Sequence, residues 1–141
     1  MDERVRESFG RQRFMATLGA RLVSAEQGAV EIELPVHDGL AQQHGYVHAG
    51  AVTAIADSAC GYAALTMMPE NAAVLSVEFK VNLLAPAAGE KLVATGRVVR
   101  AGRTLVVTSA EVVAVRGDQR TPVLVMQGTM MRVEVQGGRS G

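Results

Sequence analysis

One acid, Asp57, stands in a run of small apolar residues, Ala51-Val52-Thr53-Ala54-Ile55-Ala56-Asp57-Ser58-Ala59-Cys60-Gly61-Tyr62-Ala63-Ala64-Leu65. Strong helix formers fill this run, and as a helix it is apolar on nearly every side, so it should be buried. A carboxylate in such a helix needs a partner or a task, and the tasks open to it are general base and nucleophile. At helical spacing Asp57 shares a face with Gly50, Thr53, Ala54, Gly61 and Ala64, so little bulk keeps other groups away from it. The polar loop Gln42-Gln43-His44-Gly45-Tyr46-Val47-His48-Ala49-Gly50 empties into the helix. Backbone N–H groups of Ala49 and Gly50 at the helix start lack intrahelical partners and lie at the positive end of the dipole. They suit an oxygen that gains negative charge during a reaction; the plainer reading is a helix start where glycine permits close packing.

Spacing and surroundings argue against two other chemistries. His37, His44 and His48 include an i, i+4 pair, but Gly45 and the loop context argue against a helix there. No Glu stands where a helical zinc motif requires one, so no metal is expected. His48 is read as fixing its loop by a hydrogen bond, with ligand or base as the alternative. Cys60 is read as a small buried hydrophobe, since the helix places no cation near it.

The elements that position these residues follow from periodicity. A loosely amphipathic helix is expected from about Glu3 to Leu18, with Gly19 as its cap. Arg21–Ala25 and Ala29–Leu34 form a hairpin around Glu26-Gln27-Gly28. After the central helix, Leu75, Val77, Phe79, Val81 and Leu83 should point one way, with Ser76, Glu78, Lys80 and Asn82 pointing the other. Strands over Leu92–Arg100, Thr104–Val115 and Pro122–Val135 complete a meander, and the tail from about 136 to 141 should be disordered. A buried helix followed by a meander is best satisfied when the sheet curls around the helix, an α+β arrangement. All 141 residues fit one domain. Lys plus Arg and Asp plus Glu each number 14, a balance that speaks against a nucleic-acid or acidic-membrane surface. A lone cysteine and no span-length apolar run suit a cytoplasmic protein.

The loop and helix resemble the hotdog-fold thioesterases of the PaaI-like branch, which hydrolyse acyl-coenzyme A. Gln42, His48-Ala49-Gly50 and an acid nine residues after that His, Asp57, match the family pattern, as do Ser76 to Asn82, Pro86 and Arg100 to Leu105. Ala49 replaces the usual first glycine, which keeps the backbone N–H but crowds the acyl group. The resemblance implies a hotdog fold and Asp57 as the catalytic carboxylate. Ala49 and Gly50 would polarise the thioester carbonyl, and Gln42 would orient the nucleophile or the thioester. Ser76 would stand near the reacting centre, supplied by the opposite subunit. Arg100 and Arg103, around the Ala101-Gly102 turn, either hold the phosphates of coenzyme A or are solvated charges at a hairpin tip. Asn82, Leu83, Thr104 and Leu105 complete the expected substrate-binding set.

Eight residues separate Ala49 from Asp57, about 12 Å of rise and about 80° of rotation. One helix cannot bring both onto one carbonyl carbon, so a homodimer with sites across its interface is expected. The resemblance adds a dimer of dimers, and no cofactor beyond the coenzyme A of the substrate. The rivals are a non-catalytic acyl-CoA-binding module and an enoyl-thioester hydratase. Ala49, Met67, Met68 and the N-terminal helix are the candidates for shaping the acyl pocket, which could take aromatic or fatty groups.

Overall fold

The structure, a computed structural model, describes residues 1–135; the tail expected to be disordered lies outside the described residues. Helix α1 (Glu3–Arg11) opens with Asp2 as its cap, whose side chain accepts from the Val5 N–H. Instead of one helix to Leu18, the chain breaks at Gln12, which is extended (φ −80°, ψ 98°), and resumes as α2 (Arg13–Leu18). Gly19 ends α2 in the left-handed region at φ 87°, where a glycine carries no steric cost. Strands β1 (Arg21–Glu26) and β2 (Ala29–Pro35) form the expected hairpin. A short 3-10 turn over Asp38–Leu40 leads to the loop before α3 (Ala49–Leu65). Strands β3 (Ala72–Leu83), β4 (Lys91–Ala101), β5 (Leu105–Arg116) and β6 (Gln119–Glu134) follow. Among the described residues no helix is long and apolar enough to cross a membrane.

The strands form one antiparallel sheet in the order β1-β2-β4-β5-β6-β3, curled around α3. The meander is therefore interrupted: β4 pairs with β2, and β3 pairs with β6 at the far edge. Crossing over in this way lets α3 cover the middle of the sheet. A bulge between Ser76 and Glu78 overturns the expected alternation in β3. Ser76 pairs with buried Met130, while Phe79, Val81 and Leu83 pair with Gly128, Met126 and Leu124, all on the face toward α3. The extra residue at the bulge moves Ser76 onto the same side as those apolar residues and away from Glu78, Lys80 and Asn82.

The core is α3 against the sheet, with Ile55, Ala56, Ala59, Ala63, Ala64 and Leu65 closed off from solvent. At Gly96 in β4 the two backbones approach closely. A Cβ placed there would lie 2.4 Å from the Ala59 carbonyl carbon and 2.5 Å from its oxygen. Backbone meets backbone at this point, and no side chain can give way. Gly96→Ala should therefore lower stability by about 1–3 kcal/mol or more, read as an earlier urea midpoint. An unchanged midpoint would contradict the packing described.

Candidate active site

Along α3, Ala51, Val52, Ile55, Ala56, Ala59 and Cys60 are buried, but Thr53, Ala54, Asp57 and Ser58 are only half covered. They form one stripe of the helix that the chain's own sheet leaves open. Asp57 faces β3, where the Ser76 Oγ donates to its Oδ1 at 2.6 Å. The bulge makes this contact, because without it Ser76 would point out of the barrel with Lys80. Both residues line a cavity of about 170 Å³ with Gln12, Ser58, Gly61, Tyr62 and Val74. Gly61 keeps its floor low, since a Cβ there would meet only Val74 Cγ1, at 3.9 Å. Ser76 and Asp57 thus meet within one chain.

The helix start builds a separate place. His48 is the N-cap of α3, and its Nδ1 accepts from the Gly50 N–H at 2.7 Å. The N–H groups of Ala51 and Val52 donate to the His48 carbonyl. Ala49 is the first residue of the helix, and its N–H has no partner among the described residues. The preceding loop is held by Gln42, whose Oε1 accepts from the N–H groups of His44 and Tyr46 at 2.6 and 3.2 Å. Gly45 turns it at φ 88°. This use of Oε1 leaves the Gln42 amide N–H₂ available. Gln42 and Ala49 line a cavity of about 410 Å³ with Tyr46, Val52, Leu83 and Pro86.

The two cavities share no lining residue. Within one chain the structure brings Asp57 to Ser76 and Gln42 to Ala49, and it does not bring these pairs together. Leu83 joins the helix-start cavity, while Asn82 pairs with Val125 on the outward face. Arg100, Ala101, Gly102, Arg103, Thr104 and Leu105 are exposed around the β4–β5 turn, and they line neither cavity. Through Leu105, which pairs with Met131 one step from the Ser76–Met130 pair, that turn lies at the Ser76 end of the sheet. Met67 and Met68 line neither cavity; the N-terminal segment does, through Gln12. Gln12, Ser58, Tyr62 and Val74 escaped the sequence reading. Only Ser58, adjacent to Asp57, carried a signal that could have found it.

Residues 44–121 match the model of the thioesterase superfamily. A crystal structure of a thioesterase family protein from Silicibacter pomeroyi is 48% identical, with a TM-score of 0.92 over 94% of this chain and 98% of that one. The 1,4-dihydroxy-2-naphthoyl-CoA hydrolase of Listeria monocytogenes is 27% identical over 88 residues, 62% of this chain and 72% of that protein. The E. coli PaaI protein from the phenylacetic acid degradation operon shares the fold, with a TM-score of 0.85 at 23% identity over 99% of this chain and 95% of that one. The chain belongs to the thioesterase superfamily. Its fold is the hotdog, and it is a thioester hydrolase.

Among the described residues no group of three or more His, Cys, Asp or Glu side chains could hold a metal ion. His37 is engaged elsewhere, its Nε2 hydrogen-bonded to the Leu18 carbonyl at 2.8 Å. Cys60 is buried beside the site, and burial pushes its thiol up to about 11, against a smaller opposing hydrogen bond with Thr108. A group held protonated in this way is not a thiolate nucleophile at neutral pH. Iodoacetamide at pH 8 should leave native Cys60 unlabelled over hours and modify it promptly in denaturant, as mass spectrometry would show. Prompt native labelling would contradict the enclosure of this thiol.

Proposed function

We propose that the chain hydrolyses acyl-coenzyme A thioesters at sites shared between two copies, with Asp57 as the catalytic carboxylate. The observation that carries this reading is Asp57 held by Ser76 at the mouth of a cavity, on a stripe of α3 that its own sheet leaves uncovered. With Oδ1 accepting from Ser76, Oδ2 is left for the reaction. Asp57 either removes a proton from water as its oxygen adds to the carbonyl carbon, or adds to that carbon itself before water releases the acid. In both routes the carbon–sulfur bond breaks and the thiolate of coenzyme A leaves with a proton.

Carbonyl oxygen needs donors where its charge develops, and the unpartnered Ala49 N–H at the positive end of α3 suits that role. Gln42, with its amide N–H₂ free in the same cavity, orients the thioester. Since these groups lie about 12 Å of helix away from Asp57, the Ala49 end comes from the second copy. The sheet supports the same assembly. Strand β3 closes it as a free edge of 12 residues, with Leu75, Val77 and Phe79 exposed. A long apolar edge of this kind calls for a partner strand.

On this reading Arg100 and Arg103 take the phosphates of coenzyme A, with Asn82, Leu83, Ala101, Gly102, Thr104 and Leu105 along its path and His48 setting the helix start. The assembly is a dimer of dimers acting in the cytoplasm, without a metal or redox cofactor. Release of free thiol from benzoyl-CoA and hexanoyl-CoA tests the central assignment. Asp57→Asn should lower kcat by on the order of 10²-fold or more while the melting temperature holds. Equal turnover in wild type and Asp57→Asn would make the helix acid structural and end this reading.

A further inference from the structure

Strand β3 has β6 on one side and no strand on the other. Its outward face carries two exposed charges two residues apart, Glu78 and Lys80. Glu78 accepts from the Thr129 hydroxyl on β6, and among the described residues neither Glu78 nor Lys80 belongs to an ion pair. Between them, on the inward face, stands Phe79, 44% exposed. A lysine on a bare edge ordinarily discourages pairing with another chain. An acid beside it on the same face turns that general obstacle into a choice among registers.

Two copies joined edge to edge through β3 would run antiparallel about a two-fold axis. Residues opposite one another across paired strands share a face of the sheet, so the axis must pass through a residue and its own copy, not between neighbours. An axis at Glu78 sets two carboxylates against each other, and an axis at Lys80 does the same to two ammonium groups. An axis at Phe79 sets each Glu78 against the Lys80 of the second copy, twice per interface. It also brings the two Phe79 rings together on the inner side. Axes further along the strand in either direction leave both charges without an opposite charge.

We infer that β3 pairs with β3 of a second copy in the one register whose axis lies at Phe79, selected by the two Glu78–Lys80 pairs, and that this register assembles the site. The inference rests on the shared-site reading above. A second observation agrees with the choice made by charge. Past the bulge, inward Ser76 must fall opposite inward Val81 of the second copy, and inward Val74 opposite its inward Leu83. Val74 lines the cavity that holds Asp57, and Leu83 lines the one that holds Ala49 and Gln42. The register therefore sets the acid of one copy and the helix start of the other on either side of one strand pair.

Single cysteines read the register directly, since opposing Cα atoms of an antiparallel pair lie within disulfide reach. Under mild oxidation Phe79→Cys should run as a crosslinked dimer on a non-reducing gel. Glu78→Cys and Lys80→Cys should crosslink only when the two variants are mixed. Native Cys60 is buried and stays out of the reaction. Sedimentation velocity reads the charges separately: Glu78→Lys and Lys80→Glu should each weaken the dimer by about tenfold or more. The double reversal should restore it, as should an equal mixture of the two single reversals. These exposed variants stand if Phe79→Cys fails to fold. Crosslinking of Glu78→Cys or Lys80→Cys alone, no crosslink in a dimeric protein, or charge reversals without effect would overturn the register. Thiol release that still depends on Asp57 would then leave the thioesterase reading intact. A monomer with that activity would overturn both the register and the shared site.

Discussion

The structure depends on how closely its sheet can approach α3. Between Gly96 and Ala59 the two backbones are in contact, and the alanines along the buried side of the helix allow the same approach on either side of that point. A larger side chain at any of these positions would push the sheet outward and open its curl. Small residues are thus the condition for wrapping six strands around one helix. Their low bulk also explains why a carboxylate can stand among them. Where the sheet stops, the stripe of Thr53, Ala54, Asp57 and Ser58 is left for something else to cover.

Two departures from regular structure shape what that stripe meets. The bulge in β3 turns Ser76 inward to donate to Asp57, a contact a regular strand would have replaced with an outward serine. The break at Gln12 directs an amide onto the same helix, between Ser58 next to the acid and Tyr62 further along. Both cost backbone regularity, and both bring polar groups to the one cavity that contains the carboxylate. The helix start, by contrast, is regular: a capped first turn with the Ala49 N–H left over.

Much of this was legible in the sequence. Strong alternation and clear turns placed β1 to β6 within a few residues, and the apolar run set α3. The curled sheet followed from the need to bury that helix. Strand order was not legible, because β3 pairs equally well by pattern with either neighbour, and the choice depends on how the sheet closes over α3. Alternation gave Ser76 the wrong face, since a one-residue bulge leaves no mark in the pattern of Leu75 to Leu83. Gln12 was invisible for a different reason. Its importance comes from Tyr62 and Ser58, about fifty residues away, and a glutamine in an amphipathic helix looks like any solvated position. The gap between the helix start and Asp57 needed only helix geometry.

That gap is where the account is most exposed, and mixing two inactive variants tests it. Asp57→Asn removes the acid and leaves the helix start intact. Ala49→Pro removes the unpartnered N–H at the first helical position, where proline is tolerated and where His48 at φ −59°, ψ 137° already has the backbone that proline requires before it. Unfolded together and refolded at equal concentration, the two chains should recover about a quarter of wild-type activity, because half of the dimers are mixed and each has one complete site. No recovery, with mixed dimers shown to form, would mean that each site is built within a single chain.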